Sequence, residues 1–335
     1  MRVWIVFHIL MLASATASAA DVCPGLDQQR AAPEVATRIA AYACHEHGLW
    51  YRPFIDRNGR SASITVMESE AVLLDDGQSQ AWRRVAAYWQ QSGVLGQVGQ
   101  LTGASECEGA AGGNYPSPAC RGFVIDNPWS AAFISWVMRR AGVPGFRASA
   151  SHITYVRDAY QRPGSSAYQF VDPAHAKPAT GDLLCYVRNG YRMYGYEGLS
   201  SVVSAGNAGL EMHCEIVVAA NPGNDSTAYL IGGNVQQAVT MRMLPLNRNG
   251  EFWGLPLRTG AESLCAPDNE AACNFNRQDW AVLLKLKSAD ALAKLPGASS
   301  LAPVSPEPST TQAPTCCVNC VVGSGVPRCP QKQEP

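Results

Sequence analysis

A mixed α+β fold, with helices packed on a mainly antiparallel sheet, is what the order of sequence patterns predicts. Helix-period segments fill the first half of the chain and short apolar runs fill the second, with the change near residue 167. Helices grouped before strands indicate an α+β domain rather than alternating βαβ units.

Each element has its own signal. Pro33 to His47 has Val35, Ile39, Tyr42 and Ala43 at helical spacing, and Gly48 suits the stop. Gln80 to Gln91 makes a second amphipathic helix. Residues 102–122, rich in Gly, Ser, Pro and Cys, read as a long loop. A third helix is expected over Pro128 to Ala141, with Asp126 or Asn127 as cap, Pro128 in the first turn and Gly142 as the left-handed stop. His152 to Tyr160 suits a fourth. Strands are expected at Leu183 to Val187 (after the Gly181-Asp182 turn), Cys214 to Ala219 and Tyr229 to Gly232, with Asn221-Pro-Gly-Asn224 turning between the last two. Val239 to Leu244 and Val282 to Leu286 are further candidates.

The ends read differently. Residues 1–20 carry Arg2, an apolar stretch and a small-residue Ala17-Ser18-Ala19-Ala20 terminus, the pattern of a cleaved secretory signal. Periplasmic or secreted location is therefore expected. No later stretch is apolar enough for a membrane span. Residues 21–295 then form the folded domain, with a helical N-terminal part over 30–100 and a core over about 120–245. Residues 296–315, dominated by Pro, Ser, Thr and Ala, read as a linker, and 316–335 as a Cys-rich tail. A net charge of −1 gives no reason to expect nucleic acid or an anionic membrane as partner. The 12 cysteines agree with an oxidising space. Cys107/Cys120, Cys265/Cys273 and Cys23/Cys44 are plausible pairs, while Cys185 and Cys214 lie on strands that could be neighbours. A zinc site is the competing reading, against which stands the lack of a paired C-x-x-C with histidine at ligand spacing.

The chemistry concentrates in Pro128-Trp129-Ser130-Ala131-Ala132-Phe133-Ile134-Ser135-Trp136-Val137. Ser130 falls in the first turn of its helix, where free N–H groups and the positive dipole end meet. The segment resembles the W-C-A-A-F-V helix start of CHAP and NlpC-type amidases and peptidases, with serine at the cysteine position. Pro178-x-x-Gly181-Asp182-Leu183, His213-Cys-Glu-Ile-Val-Val218 and Ile231-Gly-Gly-Asn234 resemble three later motifs of that superfamily, in its order. The W-S-A-A-F-I-S-W-V-M wording also resembles a related bacterial domain family of unknown function in which serine is usual. The resemblance covers roughly residues 120–245 and implies a papain-like fold.

Carried over by position, Ser130 would be the nucleophile, His213 its general base and Asn234 the residue orienting the imidazole. Met212 stands where the family has glycine before its histidine, and Gly232 where CHAP domains have glutamate. Serine changes the energetics. A thiol needs only a small push to ionise, whereas a hydroxyl lies roughly six or more units above neutral pH, or ~8 kcal/mol. The helix dipole supplies only about 0.3–2 kcal/mol, so on this reading Ser130 must lose its proton to His213 during attack.

The plain readings stand beside these. A small polar residue is common in a helix first turn, and a histidine opening a strand is commonly structural. His152, beside Ser149 and Ser151, is a rival base that could instead bind substrate or cap its helix. Trp129 suits either a packed helix face or a substrate wall, as do Tyr186 and Tyr194 in an aromatic, glycine-punctuated segment that otherwise reads as a surface loop. Cys214 follows His213, so its side chain faces the other way. The reading reached is an exported hydrolase cleaving an amide bond, with peptidoglycan as first substrate by resemblance. A catalytically inactive cell-wall-binding module and an esterase or acyltransferase are the alternatives. No metal or organic cofactor is implied.

Overall fold

The computed structural model describes residues 21–113, 115–252, 254–298, 319–320 and 327–328. A short helix α1 (Cys23–Asp27) is tied by the Cys23–Cys44 disulfide to α2 (Val35–Leu49). The middle of α2 is rich in alanine and buried almost all round, because small side chains let neighbouring elements approach it closely. Two-residue strands β1 (Phe54–Ile55) and β2 (Ser61–Ala62) follow. Next comes α3 (Ala81–Gln91), which buries Trp82, Val85, Ala86 and Trp89 at the i, i+3, i+4, i+7 spacing of an amphipathic helix.

Residues 102–122 are not the continuous loop that their composition suggests. They contain α4 (Ala104–Glu108) and the start of α5 (Pro118–Asp126). Pro118 sits in the first turn of α5, Ser117 Oγ accepts from the Cys120 N–H, and the Cys107–Cys120 disulfide staples the two helices. The third expected helix begins at Ser130 (α6, Ser130–Arg140), two residues later than expected. Asn127 is spent on α5, where its side-chain amide donates to the Phe123 carbonyl. The N-cap of α6 is Trp129, with no side-chain cap bond. The fourth helix, α7, runs His152–Gln161.

The strands are β3 (Tyr168–Val171), β4 (Leu183–Val187), β5 (Met212–Ala220), β6 (Thr227–Val235), β7 (Ala238–Pro245) and β8 (Asp279–Leu286), and α9 (Ala289–Leu292) closes the domain. They form one sheet in the order β2-β1-β7-β6-β5-β4-β8-β3, antiparallel throughout except for β1 beside β7. The α+β class with a mostly antiparallel sheet is thus the observed architecture. The aromatic segment between β4 and β5 holds an unexpected helix, α8 (Gly195–Ala205), whose N-terminus is capped by Asp279 accepting from the Tyr194 and Gly195 N–H groups.

Helices α2 and α6 pack on β5 and β6. That face of the sheet carries Cys185, Cys214, Ile216, Val218 and Ile231. Leu184, Tyr186, Val217, Leu230, Trp280 and Leu283 form a second cluster on the opposite face. Alternation along β5 therefore sends Cys214 to the helix side and sets His213 and Glu215 on the Val217 side. Cys185 and Cys214 are directly paired across β4 and β5 and form a disulfide. The Cys265–Cys273 disulfide is also present.

Between α2 and α3 lies a buried polar knot. Arg84 Nε donates to Glu46 Oε2 at 2.8 Å, and Tyr88, itself hydrogen-bonded to the same carboxylate, accepts from Trp50 Nε1 at 3.0 Å. It fixes the Trp50 and Tyr88 rings, which stack on Trp129 at 5.8 and 5.6 Å between centroids. The start of α6 is thereby anchored in aromatic packing.

Among the described residues no helix is long and apolar enough to cross a membrane. Residues 319–320 and 327–328 pair as a small antiparallel ladder in a separate unit. The expected signal segment and most of the linker and Cys-rich tail lie outside the described residues.

Candidate active site

Ser130 is the first residue of α6 and His152 the first of α7, so two helix starts face each other. Ser135 sets their spacing: its hydroxyl donates to the Ser149 carbonyl and accepts from the Ser149 N–H, both at 3.0 Å. Within that frame Ser130 Oγ lies 2.7 Å from His152 Nε2, and His152 Nδ1 is hydrogen-bonded to the Tyr155 hydroxyl one turn later on α7.

Burial holds the His152 imidazole well below its ordinary protonation range, and neighbouring His213 and Arg188 act in the same sense. It is therefore neutral near pH 7. Burial also pushes the Tyr155 phenol well above its usual range, with Tyr168 adding to the effect. In the tautomer with Nδ1–H donating to Tyr155, His152 Nε2 is free to accept the Ser130 proton. Trp129 supplies no side-chain cap, so the amides of the first α6 turn keep donor capacity beside the hydroxyl.

The structure brings Ser130 together with His152 rather than with His213. The His213 ring lies behind, 5.3 Å from the His152 ring between centroids and 5.1 Å from that of Tyr186. Its Nε2 is 3.6 Å from Glu215 Oε1, beyond hydrogen-bond length. Burial lowers the His213 pKa, and the Glu215 carboxylate opposes this without reversing it. Burial works against ionisation of Glu215 as well, but Arg242 outweighs it and holds the carboxyl at about 2. Arg242 Nε lies 2.8 and 3.0 Å from the two Glu215 oxygens, and its Nη2 donates to Oε1 at 2.9 Å.

Asn234 does not bond to His213. With its amide nitrogen toward Glu68 Oε2 (3.2 Å), its oxygen accepts from the Trp129 N–H at 3.1 Å. Trp129 Nε1 donates to the same Glu68 oxygen at 2.6 Å. Burial raises the Glu68 pKa, and the Trp129 bond partly offsets this. Asn234 therefore secures the residue preceding Ser130, from a left-handed backbone position (φ 55°) that asparagine tolerates.

The two glycines before it allow this closeness. A Cβ on Gly233 would meet Phe133 Cβ at 2.5 Å and Trp129 at 2.7 Å. One on Gly232 would meet Glu215 Cγ at 2.8 Å and His213 Nε2 at 3.1 Å.

The expected substrate contacts fare differently. His152 lies directly against the Ser130 hydroxyl. Trp129 is wholly buried in its stack, and Tyr186 is buried against His213 and Trp280, so neither ring forms an open wall. Tyr194 is half-buried at the α8 start, with Arg192 over its ring at 4.8 Å.

A model of the family described as "Uncharacterized protein conserved in bacteria (DUF2272)" matches residues 76–286. The chain belongs to that family. The matched span contains Ser130, His152, His213, Glu215, Asn234 and Arg242, whereas Glu68 lies before it. No curated protein and no solved structure matches this DUF2272 chain.

Sequence reasoning missed Tyr155, Glu215, Arg242 and Glu68. Two signals were available: Tyr155 is three residues after His152, on the same helical face, and Glu215 is two after His213, on the same strand face. Arg242 and Glu68 come from distant segments and left no local trace.

Proposed function

We propose that this DUF2272 protein is a serine acyl hydrolase in which Ser130 is the nucleophile and His152 the general base. The observation that carries this reading is the 2.7 Å contact between Ser130 Oγ and a neutral His152 Nε2 at an uncapped helix start. Ser130 Oγ attacks the carbonyl carbon as its proton passes to His152 Nε2. The first-turn amides of α6 face the developing oxyanion. The imidazolium then protonates the leaving group, and water, deprotonated by His152, releases the acyl group from Ser130.

The fold class and the motif order support a papain-like relationship, and on that resemblance the substrate is a peptidoglycan amide or stem-peptide bond. The four disulfides are consistent with a periplasmic or secreted protein. One feature of the site shifts the balance toward easier chemistry. The partner of His152 Nδ1 is the neutral phenol of Tyr155 rather than a carboxylate, so no anion stabilises the imidazolium. Neutralising the equivalent carboxylate of a serine-protease triad costs about 10⁴-fold. Activated esters are therefore expected to turn over faster than amides.

A second reading has its own observation: Ser130 is only 3 % exposed and His152 only 4 %. A serine and a histidine so enclosed also suit a structural pair in a wall-binding module that lacks catalysis. The deciding experiment incubates the mature protein with purified sacculi and, separately, with p-nitrophenyl acetate. Muropeptide release or ester turnover that disappears in Ser130→Ala and His152→Ala supports the enzyme. Sedimentation with sacculi, with neither activity, supports the binding module.

A further inference from the structure

His213 is buried beside His152, yet no hydrogen bond fixes its ring through Nε2. What faces that nitrogen is a carboxylate that cannot move. Glu215 is wholly buried and gripped through both oxygens by Arg242. Arg242 is itself held, donating to Asn276 Oδ1 at 3.0 Å and to the Phe275 carbonyl at 2.5 Å. Asn276 in turn donates to the carbonyls of Asp56 (2.8 Å) and Met243 (3.2 Å). The chain of contacts thus runs from the β1 end of the sheet to the second imidazole. The space in which Glu215 and His213 meet exists because residue 232 has no side chain.

We infer that Glu215, locked by Arg242, is a positioning residue whose carboxylate, 3.6 Å from His213 Nε2, orients the imidazole beside His152 by charge rather than by a formed hydrogen bond, in the role that the family resemblance gives to Asn234. The inference rests on the serine-hydrolase reading of Ser130 and His152.

Two physical consequences follow from the placement. An ionised carboxylate facing Nε2 selects the tautomer with hydrogen on Nε2 and leaves Nδ1 as the acceptor. Secondly, Glu215 and Arg242 cancel, so a neutral His213 presents no net charge to His152. The imidazolium formed there during attack then meets an uncharged neighbour. Removing the carboxylate alone would leave the Arg242 cation uncompensated behind both rings. The other ionisable groups around His213 are His152, Tyr186 and Arg188, and none of them supplies a negative charge at neutral pH.

The test uses the full mature protein with ¹⁵N-labelled histidine, reading the His213 tautomer by two-bond ¹H–¹⁵N correlation and turnover of p-nitrophenyl acetate in parallel. Glu215→Gln is the direct variant. Because it strands a buried Arg242 and can fail to fold, Glu215→Leu with Arg242→Met removes both charges and keeps the volume apolar. The wild type is expected to hold the Nε2–H tautomer, and the double variant to lose that preference. Its kcat should fall about 10²-fold with KM unchanged, the lower range for loss of acid–base catalysis, as the ring packed against the base His152 is no longer held. An Nδ1–H tautomer in the wild type, or an unchanged tautomer or unchanged kcat in the folded double variant, overturns the inference. A wild type without turnover defeats the serine-hydrolase reading instead, and the tautomer comparison then decides Glu215 alone.

Discussion

Replacing Gly233 by alanine adds one methyl group at the place where β6 meets the start of α6. That methyl would lie 2.5 Å from Phe133 Cβ, 2.6 Å from Phe133 Cγ and 2.7 Å from the Trp129 ring. Ordinary contact begins near 3.4 Å, so the two surfaces must separate by about 1 Å. Trp129 cannot easily yield, because Trp50 and Tyr88 stack on it and Glu68 and Asn234 hold its indole and its backbone N–H. The shift therefore passes into the first turn of α6, where Ser130 sits. Overpacking of this kind costs about 1–3 kcal/mol, and a nucleophile displaced by ~1 Å loses about 10²-fold in rate. Urea unfolding monitored by tryptophan fluorescence reads the first quantity. The second-order rate of Ser130 modification by a fluorophosphonate reads the second. A Gly233→Ala protein of wild-type stability with an unchanged modification rate would refute the claim that close packing of this strand places the serine.

Three further outcomes are expected. Arg242→Met leaves the Glu215 carboxylate buried and unpaired and should cost about 3–5 kcal/mol in urea unfolding, whereas adding Glu215→Leu should restore most of it. A single variant within 1 kcal/mol of wild type would contradict the buried pairing. The pH dependence of ester turnover should place its acid limb below 6.5, the ordinary imidazole value, since burial depresses the base His152. A limb above that value would assign the base elsewhere. Stability carries the same sign. The buried His47, His152 and His213 all have lowered pKa values, so the unfolded chain takes up protons that the native state refuses. Stability should be fully present above pH 6.5 and fall as pH drops below it, by up to about 1.4 kcal/mol per pH unit for each group. A flat profile from pH 7 to 5 would contradict neutral buried imidazoles.

Much of the architecture is legible in the sequence, because periodicity reports burial directly. Val35 to Ala43 and Gln80 to Gln91 show helical spacing, and the apolar runs at Leu183, Cys214 and Tyr229 lie on the strands of the central sheet. Composition misled where a local device overrode it. Residues 102–122 look like a loop, yet a disulfide and the Ser117 cap make two short helices there. The aromatic segment before β5 contains α8 because Asp279, some eighty residues away, caps its start. The site divides in the same way. Ser130 stands out because a helix start of that wording is a local pattern. The partner of its hydroxyl depends on how α6 and α7 meet, which is set by the Ser135–Ser149 contact. The motif resemblance of Ile231-Gly-Gly-Asn234 gives Asn234 the role of imidazole partner, but the bulge after Gly232 and its positive φ turn its amide toward Glu68 and Trp129. Gly232, read as a missing glutamate, is instead the space that Glu215 fills from the neighbouring strand.

The most direct test of the central claim is intact-mass and peptide-level mass spectrometry after exposure to a fluorophosphonate, comparing wild type, Ser130→Ala and His152→Ala. A single adduct on Ser130 is expected in the wild type, none in Ser130→Ala, and modification slowed by about 10²-fold or more in His152→Ala. An adduct elsewhere, or Ser130 labelling that proceeds at the wild-type rate without His152, would contradict it.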